Sequence, residues 1–239
     1  MPLEDDAYDF KAYGARKERP SVLFFFPALM YNKSMSIQAV AFDYGGVISL
    51  PQDENAMRDL ASIAGIDSDL MRRIYWENRQ IYDRGLVSGS EYFRNILADV
   101  GIFPDDPAVE KMVSRDVASW SRINAETERL MRDIKKAGLK VGILSNMVQP
   151  FLDTVRKTVP VFLIPDGAVF SCEADTVKPE KKIYDLTLSA LGCEADELVF
   201  FDDTEINVAA ADRLGIHAFL WQDAAAARRE LEVLCAGRL

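Results

Sequence analysis

The sequence predicts an α/β fold in which a doubly wound parallel sheet carries an inserted block of helices. Three observations lead to this prediction. Short apolar runs end in polar residues near positions 43, 145 and 202. Helical patterns separate the later runs, an alternation typical of a parallel sheet with right-handed crossovers. Only helical patterns occur between residues 51 and 120, which indicates an insertion after the first strand.

The first strand is predicted over the apolar run that begins at Gln38 and ends at Asp43. The run is too short for a helix, and Gly45 and Gly46 after it allow a tight turn. Asp43 then lies at the carboxyl end of the strand, where open parallel sheets bind ligands. An aspartate before glycines is also a common turn residue, so its role depends on what ends the other strands.

The remaining elements follow from the spacing of apolar residues and from their boundary residues. Ser88 with Glu91 three residues later predicts a capping box at one helix start. The inserted helices are predicted over residues 55–65, 70–83, 88–100 and 106–120. Later helices are predicted over 124–137, 149–157, 179–191, 205–214 and 224–235, and strands over 140–144, 168–170, 198–201 and 218–220.

Residues 1–34 differ from the rest of the chain in composition. A charged, aperiodic segment precedes the apolar run 22–26, but acids before the run and the lack of a small-residue cleavage site disfavour a signal peptide. We predict an extension outside the fold, with Met35 as the natural first residue. The α/β core is then expected over 35–50 and 121–239, and the helical insert over 51–120.

Composition limits the partners. The chain has 239 residues and a net charge of −10, which argues against nucleic acid or an anionic membrane as a partner. Three scattered cysteines without a close pair suit a reduced, cytoplasmic protein. No apolar run reaches the length of a membrane span. A small-molecule ligand is expected, and the choice between monomer and homodimer stays open.

Polar side chains follow two later strands as well. Ser145 and Asn146 follow one strand, and Asp202 and Asp203 follow another. A plain structural explanation exists for each pair, since Ser145 or Asn146 can cap the helix that follows, and Asp203 or Thr204 can cap the helix that starts at Glu205. Lys178 before a proline can likewise be an exposed lysine at a helix start. A parallel sheet nevertheless brings all these strand ends to one crevice, which favours a shared site.

Such a site has a definite chemistry. Asp43, Asp202 and Asp203 cannot all ionise in a small space without a compensating cation. Mg²⁺ suits a set of carboxylates, a carbonyl, waters and a substrate phosphate. With Lys178 as a positive charge and Ser145 as a hydroxyl donor, the set suits phosphoryl transfer through an aspartyl-phosphate.

Four ordered segments, FDYGGVI, ILSN, VKPEKKIY and FFDDTEIN, resemble the four motifs of the haloacid dehalogenase-like (HAD) hydrolase superfamily. The resemblance extends over roughly residues 37–222 and implies a Rossmann-like core with a small four-helix cap at 51–120. Within that cap, residues 75–88 resemble the branch that includes the N-terminal phosphatase domain of epoxide hydrolases and a bacterial glucose-1-phosphatase.

The resemblance implies a role for each motif residue. Asp43 is the expected nucleophile, and Ser145 and Lys178 are expected to bind the phosphoryl group. The expected Mg²⁺ ligands are Asp43, the backbone carbonyl of Gly45, Asp202 and Asp203. Candidate substrate-binding residues are Asn146, Gly46 and Arg79, the last because its helical spacing with Trp76 and Tyr82 can direct it towards the substrate from the cap.

One position departs from the family pattern. Most phosphatases of this superfamily carry a second aspartate two residues after the nucleophile as general acid, and here that residue is Gly45. We therefore expect a phosphatase of small phosphomonoesters, including sugar phosphates, that favours activated leaving groups. Haloacid dehalogenation by the same nucleophile and a catalytically impaired HAD-fold binding protein are the alternatives.

Overall fold

The structure, a computed structural model, describes residues 37–235. The predicted extension over 1–34 and the start at Met35 lie outside the described residues and stay predictions. Five parallel strands form one sheet in the order β3-β2-β1-β4-β5, which confirms the predicted fold class. The strands are β1 (Ala39–Phe42), β2 (Lys140–Ser145), β3 (Gly167–Phe170), β4 (Leu198–Asp202) and β5 (His217–Leu220).

Helices fill the connections between these strands. Between β1 and β2 lie α1 (Ala56–Ala64), α2 (Ser68–Glu77), α3 (Arg79–Asp83), α4 (Gly89–Ala98), α5 (Asp106–Ser119) and α6 (Ala125–Lys136). The later helices are α7 (Gln149–Thr158), α8 (Ser171–Ala174), α9 (Lys181–Leu191), α10 (Glu205–Arg213) and α11 (Ala224–Leu234). Among residues 37–235, none of these helices combines the length and apolar content that a membrane crossing requires.

The helical insert follows its sequence pattern except at one point. The predicted capping box is present, because Ser88 Oγ accepts from the Glu91 amide and Glu91 Oε2 accepts from the Ser88 amide. The helix predicted over 70–83 is instead divided at Asn78, whose φ of −113° and ψ of 18° leave the helical region. Asparagine is a weak helix former because its side chain competes for backbone hydrogen bonds. The division lets α3 bury Arg79 and Tyr82.

Helices cover both faces of the sheet. In β1, Val40 and Phe42 pack into a core shared with α6, α7, α11 and the insert, whereas Ala39 and Ala41 pack against residues of α9 and α10. Successive side chains of a strand point to opposite faces, so β1 is buried on both. A continuous apolar run is therefore the expected sequence of this strand.

The position of β1 defines the ligand-binding edge. From β1 the chain adds β2 and β3 on one side of the sheet, and later β4 and β5 on the other. The strand order thus reverses between β1 and β4, the topological switch point at which open α/β sheets bind ligands. The Asp43 amide donates to the Phe201 carbonyl at 2.9 Å, so the two strands stay paired up to this edge.

Candidate active site

Asp43 lies at the carboxyl end of β1 and is 8% exposed. Its Oδ1 accepts hydrogen bonds from the Tyr44 amide at 2.7 Å and from Lys178 Nζ at 2.8 Å. Its Oδ2 accepts no hydrogen bond from residues 37–235. The carboxylate is therefore held in one orientation with one oxygen left open, which is what a carboxylate nucleophile needs.

Lys178 is buried rather than exposed, so the explanation as a solvated lysine at a helix start is wrong. Its ammonium group donates to Asp43 and to Asp202 Oδ2, at 2.8 and 2.6 Å, and to the Leu144 carbonyl at 3.2 Å. Burial alone would lower the pKa of Lys178, but Asp202 and Asp43 hold that pKa well above its usual range. The lysine therefore stays charged between the two aspartates.

Asn146 holds the backbone of Lys178. Its Oδ1 accepts from the Lys178 amide at 2.8 Å, and its Nδ2 donates to the Lys178 carbonyl at 3.2 Å. Ser145 is buried beside it, with Oγ donating to the Asn146 carbonyl at 3.3 Å. Neither side chain caps α7, which follows Val148 without a side-chain cap, so that explanation is wrong. The phosphoryl contact of Ser145 and the substrate contact of Asn146 stay predictions.

The adjacent Asp202 and Asp203 have different surroundings. Asp202 is fully buried, and its Oδ1 accepts from the Thr204 amide at 2.8 Å and Asn207 Nδ2 at 3.1 Å, while Oδ2 accepts from Lys178. Asp203 is exposed, and among the other described residues only Thr204 donates to it, from its hydroxyl to Oδ1 at 3.2 Å. Neither Asp203 nor Thr204 caps α10 through its side chain, so the capping explanation is wrong here too.

Gly46 allows Asp203 to approach the loop after the nucleophile. Its φ of +72° lies in the left-handed region, which favours glycine. A Cβ on Gly46 would also overlap Oδ2 of Asp203. Any larger residue would therefore strain the loop and displace the exposed carboxylate.

The three aspartates fit a hard divalent cation. One oxygen from each of Asp43, Asp202 and Asp203 lies within 4.8 Å of the others. Burial raises the pKa of Asp43 to about 7; Lys178 opposes this rise, and the charges of Asp202 and Asp203 add to it. The site thus carries more negative charge than Lys178 neutralises. An all-oxygen donor set with excess negative charge suits Mg²⁺.

Arg79 is engaged inside the insert. It is 9% exposed, donates from Nε to Asp83 Oδ1 at 2.9 Å and from Nη1 to the Tyr75 hydroxyl, and lies 3.7 Å from Asp116 Oδ2. Its predicted contact with substrate stays a prediction. Sequence reasoning assigned no role to Asn207, although the segment FFDDTEIN contains it.

Three carboxylates, a buried lysine and a hydroxyl meet at a topological switch point, which is where α/β enzymes have their active sites. The family model described as haloacid dehalogenase-like hydrolase matches residues 37–215. The chain therefore belongs to the haloacid dehalogenase-like hydrolase family.

Curated relatives include proteins named as phosphatases. A sesquiterpene phosphatase of Aspergillus oryzae is 24% identical over 83% of this chain and 97% of its own length. A phosphatase of Mycobacterium tuberculosis is 26% identical over 78% of this chain and 88% of its own. The bifunctional epoxide hydrolase 2 of Mus musculus is 25% identical over 83% of this chain, which spans only 39% of that relative.

Solved structures show the same fold. A HAD family enzyme of Bacteroides thetaiotaomicron, in complex with magnesium and inorganic phosphate, matches with a TM-score of 0.66 and 21% identity over 78% of this chain and 95% of that one. The L-2-haloacid dehalogenase of Xanthobacter autotrophicus matches with a TM-score of 0.59 and 19% identity over 82% of both chains. At these identities the likeness establishes the fold alone.

Proposed function

We propose that this protein is a Mg²⁺-dependent phosphatase of small phosphomonoesters that reacts through an aspartyl-phosphate on Asp43. The observation that carries the proposal is the open Oδ2 of Asp43, whose other oxygen Lys178 and the Tyr44 amide hold in place. Phosphatases among the relatives support the same reaction class. The cap boundaries at 51–120 and the location in the cytoplasm are part of this proposal.

The chemistry follows from the positions of the side chains. The Asp43 carboxylate attacks phosphorus in line, so a P–O bond to Asp43 forms while the bond to the leaving oxygen breaks. Lys178 keeps the carboxylate oriented and offsets charge on the phosphoryl oxygens, and Ser145 lies at the neighbouring strand end as a hydroxyl donor. A water then hydrolyses the aspartyl-phosphate, which releases phosphate and restores Asp43.

Two of the aspartates are better placed than the third to hold Mg²⁺. Asp43 and Asp203 accept hydrogen bonds from other described residues on Oδ1 alone, whereas such bonds occupy both oxygens of Asp202. We therefore assign Asp203, the Gly45 carbonyl and the oxygen of Asp43 that does not attack phosphorus as direct ligands, and Asp202 as the residue that positions Lys178. A bound Mg²⁺ would supply charge neutralisation for the carboxylates and the phosphoryl oxygens.

Gly45 supplies no proton to the leaving group. General acid catalysis contributes a factor of about 10²–10⁴ in rate, so its absence penalises poor leaving groups most. Aryl phosphates and sugar-1-phosphates have more acidic leaving hydroxyls than primary alkyl phosphates. The protein should therefore hydrolyse the former faster and act slowly on glycerol phosphate.

The test is a screen of phosphate esters with Mg²⁺ and with EDTA, comparing the unmodified protein with Asp43→Asn. Turnover should need Mg²⁺. Asp43→Asn should form no phosphoenzyme, and its activation barrier should be several kcal/mol higher, which lowers the rate roughly 10³-fold or more.

Haloacid dehalogenation provides the opposing outcome. Displacement of halide needs no metal, so the exposed Asp203 would have no purpose in that reaction. Release of halide from a 2-haloacid in EDTA, without phosphate release from any ester, would replace the proposal. If neither activity is detected and a phosphate ester still binds tightly, the protein is a binding protein.

A further inference from the structure

The residue after α5, Trp120, is fixed to the loop that follows the nucleophile. The Tyr44 hydroxyl donates to the Trp120 carbonyl at 3.1 Å. Tyr44 is itself buried, and its ring packs against Phe151 and Phe162 with centroids 5.1 and 5.5 Å apart. Trp120 therefore keeps its position relative to Asp43, although it belongs to the end of the helical insert.

The indole of Trp120 covers Gly45. A Cβ added to Gly45 would lie 3.3 Å from Cζ3 and 3.8 Å from Cε3 of Trp120. Ordinary carbon contacts are about 3.5–4.0 Å, so the ring fills the space of a side chain at this position. Backbone conformation does not require the glycine, because φ of −66° and ψ of 125° suit any residue. The neighbouring ring, and not the backbone, is what restricts the size of a side chain at this position.

The part of the indole available to a ligand is apolar. Trp120 is half-buried, and its Nε1 is fully buried with no hydrogen-bond partner among residues 37–235. Nitrogen is the only polar atom of the side chain, so any part of the ring that meets solvent is carbon. The ring contacts Gly45, two residues after Asp43, so it lies next to the residue that we propose as the nucleophile.

We propose that Trp120 is a specificity-determining residue whose indole replaces a side chain at position 45 and forms an apolar wall for aromatic leaving groups. The proposal rests on the proposed phosphatase function. It names the substrate class more closely, as phosphate esters whose leaving group carries a flat apolar face next to the ester oxygen. Stacking on an indole stabilises the binding of such leaving groups but not the binding of small polar ones.

The first test separates binding of the leaving group from binding of the phosphoryl group. Trp120→Ala should raise KM for phenyl phosphate about tenfold, the scale of an aromatic contact. The inhibition constant of inorganic phosphate, which occupies only the phosphoryl site, should change less than twofold. Trp120→Phe should give a KM for phenyl phosphate between those of the unmodified protein and Trp120→Ala. Phe103→Ala, which removes an aromatic ring 81% exposed in the same insert, is the control and should change neither constant.

The second test uses the contact itself. Gly45→Asp alone should lower kcat/KM on phenyl phosphate, because the new carboxylate meets the indole. Gly45→Asp combined with Trp120→Ala should regain activity and hydrolyse glycerol phosphate up to about 10²-fold faster than Trp120→Ala alone, the scale of a restored general acid. If Trp120→Ala proves unstable, Trp120→Phe takes its place in both tests.

The outcomes distinguish the two proposals. An active protein in which Trp120→Ala leaves the ratio of phenyl phosphate KM to phosphate inhibition constant unchanged would overturn the role of Trp120 alone. So would a Gly45→Asp variant that gains activity on glycerol phosphate without a change at Trp120. Absence of any ester hydrolysis by the unmodified protein would overturn the phosphatase function, and the wall with it.

Discussion

Two buried clusters in this protein each place one cation among carboxylates. In the core, Lys178 lies between Asp43 and Asp202. In the insert, Arg79 lies between Asp83 and Asp116. Both cations are buried, so both clusters depend on close pairing to offset the cost of removing charge from water. They differ in what surrounds the ions.

Neutral groups close the cluster in the insert. The Tyr75 hydroxyl donates to Asp116 Oδ1 at 2.6 Å. The Arg79 guanidinium lies over the rings of Tyr75, Trp76 and Tyr82, 4.8, 5.7 and 5.2 Å from their centroids. Burial raises the pKa of Asp83, and Arg79 opposes that rise. This cluster thus limits its negative charge and surrounds its cation with aromatic rings.

The core cluster instead adds a third carboxylate, Asp203, and keeps it exposed. Open oxygens on Asp43 and Asp203 face the same edge of the sheet. A cluster that is short of positive charge and open at one side is suited to receive a cation and an anionic substrate. A closed cluster of similar composition is suited to hold helices together. The comparison therefore favours a chemical role for the core cluster and a packing role for the cluster around Arg79.

Removing the core cation should have the largest effect. Lys178→Met leaves Asp202 buried without its partner and Asp43 without its orienting contact. Breaking a buried pair lowers the free energy of unfolding by about 3–5 kcal/mol. Loss of the positive charge at the reacting group should separately lower kcat/KM by roughly 10²–10³-fold, the scale of one lost electrostatic contact to the transition state. The measurement is turnover of phenyl phosphate with Mg²⁺. Lys181→Met removes an exposed lysine three residues later and should leave turnover unchanged. Equal losses in both variants would contradict the special role of Lys178.

Removing the cation of the insert should affect stability instead. Arg79→Met should lower the free energy of unfolding by about 3–5 kcal/mol, because Asp116 stays buried without compensation. Arg73→Met on the exposed side of α2 should change it by less than about 0.5 kcal/mol. Urea denaturation measures both. A stable Arg79→Met variant with a raised KM would instead support the predicted contact between Arg79 and substrate.

Addition of metal distinguishes the clusters without any substrate. Mg²⁺ at about 100 times its dissociation constant should stabilise the folded protein by about 2.7 kcal/mol. Asp203→Asn should abolish that gain, and Asp83→Asn in the insert should retain it. Thermal unfolding with and without Mg²⁺ gives the answer. The assignment fails if Asp203→Asn keeps the full gain.

Periodicity in the sequence was sufficient to predict the fold. The sheet and its flanking helices follow from alternating apolar runs, and the crevice follows from what ends each strand. The break at Asn78 was not predicted, because the apolar pattern continues through a residue whose backbone alone leaves the helix. Tertiary packing overrides local pattern at such points.

The residues of the site were predicted from the sequence, but the different surroundings and roles of the individual residues were not. Asp202 and Asp203 are neighbours in sequence, yet one is saturated by hydrogen bonds and the other is exposed. Their difference depends on Asn207 and Lys178, which only the folded chain brings near. The contact of Trp120 with Gly45 joins residues 75 positions apart, so no local pattern reveals it.

The smallest effect is expected where the two regions meet. Arg84, which follows α3, forms an ion pair with Glu180, two residues after Lys178. The two side chains are 21% and 41% exposed, so water screens the pair. Partly solvated pairs contribute about 0–1 kcal/mol, and Arg84→Gln should lower the free energy of unfolding by no more than that.

The dependence of this pair on pH gives the sharper test. Burial raises the pKa of Glu180, but the Thr176 hydroxyl and Arg84 outweigh it, so the pKa lies below its ordinary value. The stabilisation is then fully present above the unfolded pKa of about 4.3 and is lost as pH falls through the lower folded pKa. The stability difference between the unmodified protein and Arg84→Gln should therefore shrink below about pH 4. A loss above about 3 kcal/mol, unchanged between pH 7 and pH 3, would place Arg84 with the buried cations instead.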